Sequence, residues 1–389
     1  MLSAFVFYSL LFVLLVVAPV GLIFIVLLSL EHERRLWQRE APVAKHLGAR
    51  LEDTPFLASI AKRFPRAWLL LTHRFRTSDP WGLPATFAVF ASALGGWIFL
   101  GVMRHVLGKD PLVTLDLRLH NVMVLFRTAN MTSFMLVLTN LGSVTVLVFL
   151  CIGIVLLALA RNRPRLAATF VLALVASGLV SRLIKGILAL PRPTDSLFPE
   201  SSTSFPSEYL LSATVIYGLL ATLVLGSKAS HRLRAVGATA LLLVIVGIGL
   251  SRLYLGAHWP SDLLGSLTLA LMLLPLLLFF LHYSAPLPVI DTFHLGWRPD
   301  VSRGAGVGMI VIALAAAIAL ADLRQLMPLA TPPASHAINL VSLSKSLPAN
   351  IPRQSEDLIG GKMEPISLVL VGSRQDVLAG FFPGGLGAS

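Results

Sequence analysis

Three polar clusters interrupt an otherwise apolar chain and hold residue types that could bind and attack a phosphoryl group. Arginine guanidinium groups contact phosphate oxygens in pairs, and several cations together stabilise the charge on a transferring phosphoryl group. A histidine and an aspartate four residues apart stack on a helix, so the carboxylate can hold the Nδ1 hydrogen and leave Nε2 as a nucleophile. The clusters contain Lys185 and Arg192; Ser207, Glu208 and Tyr209; and Arg252, His258 and Asp262.

Each of these residues has an ordinary interpretation when it is taken alone. Lys185 or Arg252 would extend its charge to a membrane interface, and Ser207 would cap a helix. His258 would be an interfacial histidine. Their co-occurrence at one predicted membrane face favours a functional site, because ionisable groups at such depth are costly.

The elements that position these clusters are membrane spans. The chain has 389 residues, of which 56% are hydrophobic and only 13% charged, whereas soluble domains carry about a quarter charged residues. Runs of about 20 apolar residues cross a membrane as helices. We expect eight spans at 4–30, 82–107, 134–160, 166–190, 208–226, 235–250, 263–282 and 304–321. The first run could be a signal peptide, but its length and the lack of a small-residue cleavage site favour a retained anchor.

The distribution of basic residues predicts the orientation. Residues 31–81, 161–165 and 227–234 are rich in lysine and arginine and fall on one side, which we assign to the cytoplasm. The three polar clusters then face the exterior, or the periplasm of a bacterial-type inner membrane. Residues 56–75 alternate apolar and basic groups. This pattern fits a helix on the cytoplasmic membrane surface and a solvated loop equally well.

The net charge of +12 does not indicate a nucleic-acid partner, since the basic residues lie in short loops between apolar runs. The single cysteine, Cys151, excludes an internal disulfide and favours apolar packing over metal binding. A transporter is disfavoured because the polar clusters lie at one membrane face rather than at the midplane.

The motifs and their order resemble the membrane-bound type-2 phosphatidic acid phosphatase family, which shares its active site with the vanadium haloperoxidases. Lys185 to Arg192-Pro193 matches the family's first motif, and Ser251-Arg252 to His258 and Asp262 matches its third. Pro206-Ser207 begins the second, and the resemblance covers residues 80–285. Residues 365–381 resemble the start of an LssY-type domain.

The resemblance implies a six-helix membrane core that removes phosphate from lipid phosphates or isoprenyl diphosphates, such as phosphatidic-acid-like lipids or undecaprenyl diphosphate, at the outer face. It implies that His258 forms a phosphohistidine, that Asp262 orients it, and that Lys185, Arg192, Ser207 and Arg252 hold the phosphate. No metal or other cofactor is implied.

The second motif departs from the family at Glu208-Tyr209, where the family has Gly-His and uses that histidine as general acid. Tyr209 or Glu208 could donate the proton, with His120 as a more distant candidate. A substrate with a good leaving group would need less help. Alternatively, the chain binds lipid phosphate without hydrolysing it, or transfers the phosphoryl group to an acceptor other than water.

These observations together predict an all-α integral membrane protein. We expect an anchor and amphipathic segment at 1–81, a phosphatase core at 82–285, a further span at 286–325 and a partly disordered extracytoplasmic tail at 326–389.

Overall fold

The computed structural model describes residues 82–108, 111–197, 200–227 and 229–283, two short strands and a few single residues elsewhere. Its helices are α1 (Leu83–Gly108), α2 (Pro111–Leu125), α3 (Ala129–Leu141), α4 (Val144–Ala160), α5 (Pro164–Leu188), α6 (Glu208–Gly226), α7 (His231–Tyr254) and α8 (Pro260–Tyr283). The strands β1 (Gln354–Glu356) and β2 (Lys362–Pro365) pair antiparallel within a separate compact unit, Thr331–Ser389.

Five of the described helices, α1 and α5 to α8, are long and apolar enough to cross a membrane. The pair α3 and α4 passes the same test together, with a bend of 46° between them, so the described part of the chain has five spans or six. The all-α membrane fold predicted from the sequence is therefore confirmed. The expected span over residues 134–160 corresponds to this bent pair of helices, α3 and α4.

The break between α3 and α4 has a local cause. Ser143 caps α4 by accepting a hydrogen bond from the Val146 N–H at 3.4 Å, which stabilises a helix start in the middle of the apolar run. Gly142 lies so close to α7 that a β-carbon there would be 2.9 Å from Ile248 Cγ2. The sequence therefore bends the chain where the corner packs against a neighbouring helix.

Helices α6 and α8 form the centre of the bundle. In their most apolar stretches 72% and 67% of the residues are buried, against 28% to 33% in α1, α5 and α7. The outer helices leave large apolar side chains exposed, such as Trp97 and Ile187, which is the pattern expected of a surface that contacts lipid.

Alternation of the helix directions brings the end of α5, the start of α6, the end of α7 and the start of α8 to one end of the bundle. Two backbone hydrogen bonds hold the connecting segments there: the Leu197 N–H donates to the Leu255 carbonyl at 2.8 Å, and the Ser204 N–H donates to the Leu190 carbonyl at 2.9 Å.

The predicted spans 4–30 and 304–321, the segment 56–75 (a surface helix or a solvated loop) and the LssY-like segment 365–381 lie outside the described residues, apart from single positions. They stay predictions.

Candidate active site

The turn between α7 and α8 places the arginine and the histidine of the third cluster side by side. Gly256 adopts a left-handed conformation with φ of 68°, which an L side chain rarely adopts. A β-carbon on Gly256 would also lie 2.5 Å from Arg127 Nη2. The Ala257 N–H donates to the Arg252 carbonyl at 3.0 Å. The turn therefore reverses the chain within a few residues and delivers His258 close to the last turn of α7.

His258 and Asp262 form the pair that the sequence predicts. His258 Nδ1 lies 3.1 Å from Asp262 Oδ2, and both side chains are almost fully buried. The same carboxylate accepts hydrogen bonds from the Trp259 N–H at 2.9 Å and from the Ser204 hydroxyl. Because the ionised carboxylate accepts, we assign the hydrogen to Nδ1, which leaves the Nε2 lone pair available.

The His258 ring is held in its neutral form. Burial lowers the pKa of His258 well below its ordinary value, and the neighbouring charges of Arg252, Arg192 and Lys185 lower it further. Arg192 Nη1 lies 3.2 Å from His258 Nε2. A neutral imidazole with a guanidinium beside its free nitrogen is arranged to attack an anion that the guanidinium binds.

The three predicted phosphate-binding cations come from different elements, and the charge of each acts on His258. Lys185, near the end of α5, donates to the Thr203 carbonyl at 2.5 Å. Arg192 donates to the Ala257 carbonyl at 2.5 Å and to the Ser202 carbonyl at 2.6 Å. Arg252 is fully buried and donates to Thr139 Oγ1 at 3.2 Å.

One carboxylate that the sequence analysis missed lies among these cations. Glu200 contacts Arg252 through Oε1 and Arg192 through Oε2. Burial alone would raise the pKa of Glu200, but the charges of Arg252 and Arg192 together lower it below its ordinary value. No motif spacing marks Glu200, and its position among few acidic residues between the first and second motifs is the only signal that could have found it.

Ser207 lies at the start of α6, as the sequence predicts. Its N–H donates to Ser266 Oγ at 2.8 Å. Its own hydroxyl makes no capping bond, is buried, and has no hydrogen-bond partner in the part of the chain that the structure describes. A buried hydroxyl is costly when it is unpaired, so Ser207 Oγ is suited to bind a ligand oxygen.

The two residues that replace Gly-His in the second motif have different surroundings. The Tyr209 ring covers the Arg252 guanidinium, with 4.3 Å between the ring centroid and Cζ. Glu208 Oε1 lies 3.8 Å from Nε of Arg182, an exposed side chain on α5. The structure therefore brings Tyr209 to Arg252, one of the predicted phosphate-binding cations, while Glu208 contacts a different arginine.

A second layer of polar residues holds the site from α2. Asp116 accepts hydrogen bonds from the Ser261 N–H at 2.8 Å and the Ser261 hydroxyl at 2.6 Å, next to Asp262. Burial raises the pKa of Asp116 to about 7 despite these bonds. Asp116 is a further residue that the sequence analysis missed, and it fixes the first turn of α8.

His120 lies in the same layer. Its Nε2 is 2.5 Å from Asp195 Oδ1, and its ring is tilted against that of Trp259 at 5.3 Å between centroids. Arg127 holds the other Asp195 oxygen at 3.1 Å. His120 is thus next to the third motif but is engaged by a carboxylate, so it supports the turn that carries His258.

Within the described residues, no group of three or more histidine, cysteine, aspartate or glutamate side chains has the arrangement of a metal site.

Comparisons with known proteins agree with the motifs. Residues 166–285 match the family model described as the PAP2 superfamily. Phosphatidylglycerophosphatase B of Bacillus subtilis (strain 168) is 28% identical over 184 residues, which are 46% of this chain and 88% of that protein. A crystal structure described as the first transmembrane PAP2 type phosphatidylglycerolphosphate phosphatase from Bacillus subtilis covers 48% of this chain and 94% of that one, at 23% identity and a TM-score of 0.43.

Proposed function

We propose that this chain, a membrane phosphatase with a PAP2 superfamily domain as the motifs indicated, hydrolyses a phosphate ester or anhydride of a lipid through a phosphohistidine. The observation that carries the proposal is the position of His258. Its Nε2 lies 3.2 Å from Arg192 Nη1, while its Nδ1 is held by Asp262. The nucleophile and a phosphate-binding cation are therefore already side by side.

In the first step the lipid phosphate binds to Lys185, Arg192 and Arg252, with Ser207 Oγ as a further donor. His258 Nε2 attacks phosphorus, a P–N bond forms, and the bond from phosphorus to the leaving oxygen breaks. The cations stabilise the charge on the transferring group.

We assign the proton of the first step to Tyr209, whose ring lies against Arg252. The hydroxyl donates to the leaving oxygen. In the second step water attacks phosphorus, the P–N bond breaks, inorganic phosphate forms, and the proton of the water returns to the Tyr209 oxygen. Phenols are weaker acids than imidazolium at neutral pH, which favours a substrate with a good leaving group. Glu208 is the weaker candidate because it contacts Arg182.

The substrate class we propose is undecaprenyl diphosphate or a phosphatidic-acid-like lipid, and the site faces the periplasm or exterior. The orientation is supported by the basic loops on the opposite side of the predicted spans. When a diphosphate lipid is cleaved, the leaving group is the lipid phosphate monoester, which needs little protonation. Such a leaving group suits the weak acid at Tyr209.

The test is release of inorganic phosphate by the full-length protein from lipid phosphates and lipid diphosphates. His258→Ala is expected to abolish release on every substrate. The matched control is His231→Ala, an exposed histidine at the far end of α7, which should retain activity. Phosphate release that survives His258→Ala would contradict the mechanism.

A further inference from the structure

The most unusual feature of the site is a carboxylate in the place where a phosphoryl group is expected. Glu200 gives one oxygen to Arg252 and the other to Arg192. Carboxylates and phosphates both use two oxygens to pair with guanidinium groups. Glu200 therefore satisfies the same N–H donors that a substrate phosphate would use.

The position of this carboxylate relative to the nucleophile follows from Arg192. One nitrogen of that guanidinium, Nη2, contacts Glu200, and the other, Nη1, lies 3.2 Å from His258 Nε2. An anion held by Arg192 and Arg252 is thus next to the attacking nitrogen. Glu200 and a substrate phosphate cannot both use these donors.

Burial of Arg252 supplies the physical reason for an internal anion. The Arg252 side chain is fully buried, and a buried guanidinium without a counter-ion is strongly unfavourable. Glu200 is itself only 17% exposed and lies in the segment that also provides the Ser202 and Thr203 contacts of Lys185 and Arg192. Glu200 therefore supplies Arg252 and Arg192 with a counter-charge from within the chain.

We propose that Glu200 is an internal competitor for phosphate: it occupies the arginine pair in the resting site, is displaced by the phosphoryl group of the substrate, and returns when inorganic phosphate leaves. The inference rests on the proposed function only for the identity of the ligand.

Competition of this kind weakens the binding of every phosphate ligand by the same factor, product included. A site with three cations around one anion would otherwise retain inorganic phosphate. Glu200 thus sets the affinity of the site and favours product release. It is a binding-site residue that acts through Arg192 and Arg252.

The experiment is calorimetric titration of the full-length protein in detergent with inorganic phosphate, comparing the wild type with Glu200→Gln. The amide keeps the shape and removes the charge. A hydrogen bond to a charged group is stronger than one to a neutral group, so the amide holds the two arginines less strongly than the carboxylate does. Phosphate displaces it more easily, and we expect phosphate to bind about tenfold more tightly or better in the variant. Asp195→Asn is the matched control. It removes a carboxylate from the same segment, and that carboxylate pairs with Arg127 and His120. It should change the phosphate Kd a few-fold at most.

Steady-state kinetics distinguish competition with phosphate from a role of Glu200 as a proton donor. In Glu200→Gln the KM and the inhibition constant of phosphate should fall together, with no gain in kcat because product release slows. If Glu200→Gln does not fold, Glu200→Asp keeps the charge on a shorter side chain and should tighten phosphate binding by a smaller factor.

Unchanged or weaker phosphate binding in both Glu200 variants would overturn the proposal, and so would an equal gain in Asp195→Asn. A fall in kcat at an unchanged phosphate inhibition constant would also overturn it, since that result marks a proton donor. Binding requires no turnover, so the outcome is independent of the His258→Ala test of hydrolysis.

Discussion

Replacement of Tyr209 by phenylalanine separates proton donation from the stacking on Arg252. The variant keeps the ring, whose centroid lies 4.3 Å from the Arg252 guanidinium carbon, and removes only the hydroxyl. The cation–π contact, worth about 0.5 to 2 kcal/mol, is retained, so KM should change little. Loss of a general acid lowers the rate by roughly 10²- to 10⁴-fold, which is about 3 to 5 kcal/mol of barrier.

The size of this loss should depend on the leaving group. A phosphate monoester lipid releases an alkoxide, which needs the proton, and kcat on this substrate should fall by the full factor. A diphosphate lipid releases a phosphate monoester, and its kcat should fall by much less. Tyr209→His introduces an imidazolium, which is more acidic than a phenol, and should raise kcat on the monoester at neutral pH.

The assay is steady-state phosphate release on one monoester and one diphosphate lipid. Tyr217→Phe is the matched control: this buried α6 tyrosine donates to the Leu141 carbonyl at 2.9 Å, so its loss costs stability without dependence on the leaving group. Wild-type kcat in Tyr209→Phe on both substrates would refute Tyr209 as the acid. An equal loss on both would refute it as well, because the cost of losing a proton donor must depend on the leaving group. Turnover only in Tyr209→His would mean that the natural chain binds lipid phosphate without hydrolysing it.

Three further predictions follow from the contacts at the site. Asp262→Asn removes the charge that orients His258, so kcat should fall about 10³- to 10⁴-fold with little change in KM; near-normal kcat in phosphate release would contradict the role. Arg252→Lys loses the planar guanidinium and should raise KM about tenfold. Arg182→Lys changes an exposed side chain on α5 and should not raise KM; equal KM values in the two variants would contradict the role of Arg252. The pKa of Asp116 is about 7 in the folded protein, above its ordinary value of 3.8, so the folded state binds the proton more tightly and stability falls as pH rises between these values. This contribution is roughly 1.4 kcal/mol per pH unit at most; thermal unfolding of Asp116→Asn should show a weaker loss from pH 5 to pH 7, and an unchanged slope would refute it.

The membrane class of the chain was readable from the sequence because hydropathy is a local property. Runs of about 20 apolar residues must become helices in a bilayer, since only helices satisfy their own backbone there. The break at Gly142 and Ser143 was not readable in the same way. Ser143 is one polar residue in an apolar run and does not by itself mark a helix start, while the close approach of Gly142 to Ile248 is a contact with another helix.

The pairing of His258 with Asp262 was also readable from the sequence, because a separation of four residues across a helix start fixes their geometry locally. The meeting of residues far apart in the chain depends instead on how the helices pack. Glu200 is 52 residues from Arg252, and Asp116 is 145 residues from Ser261. Likewise, Glu208 and Tyr209 are adjacent in sequence but have different surroundings: one side chain contacts Arg182 and the other covers Arg252. Such contacts depend on how whole helices pack, and no spacing within one segment encodes them.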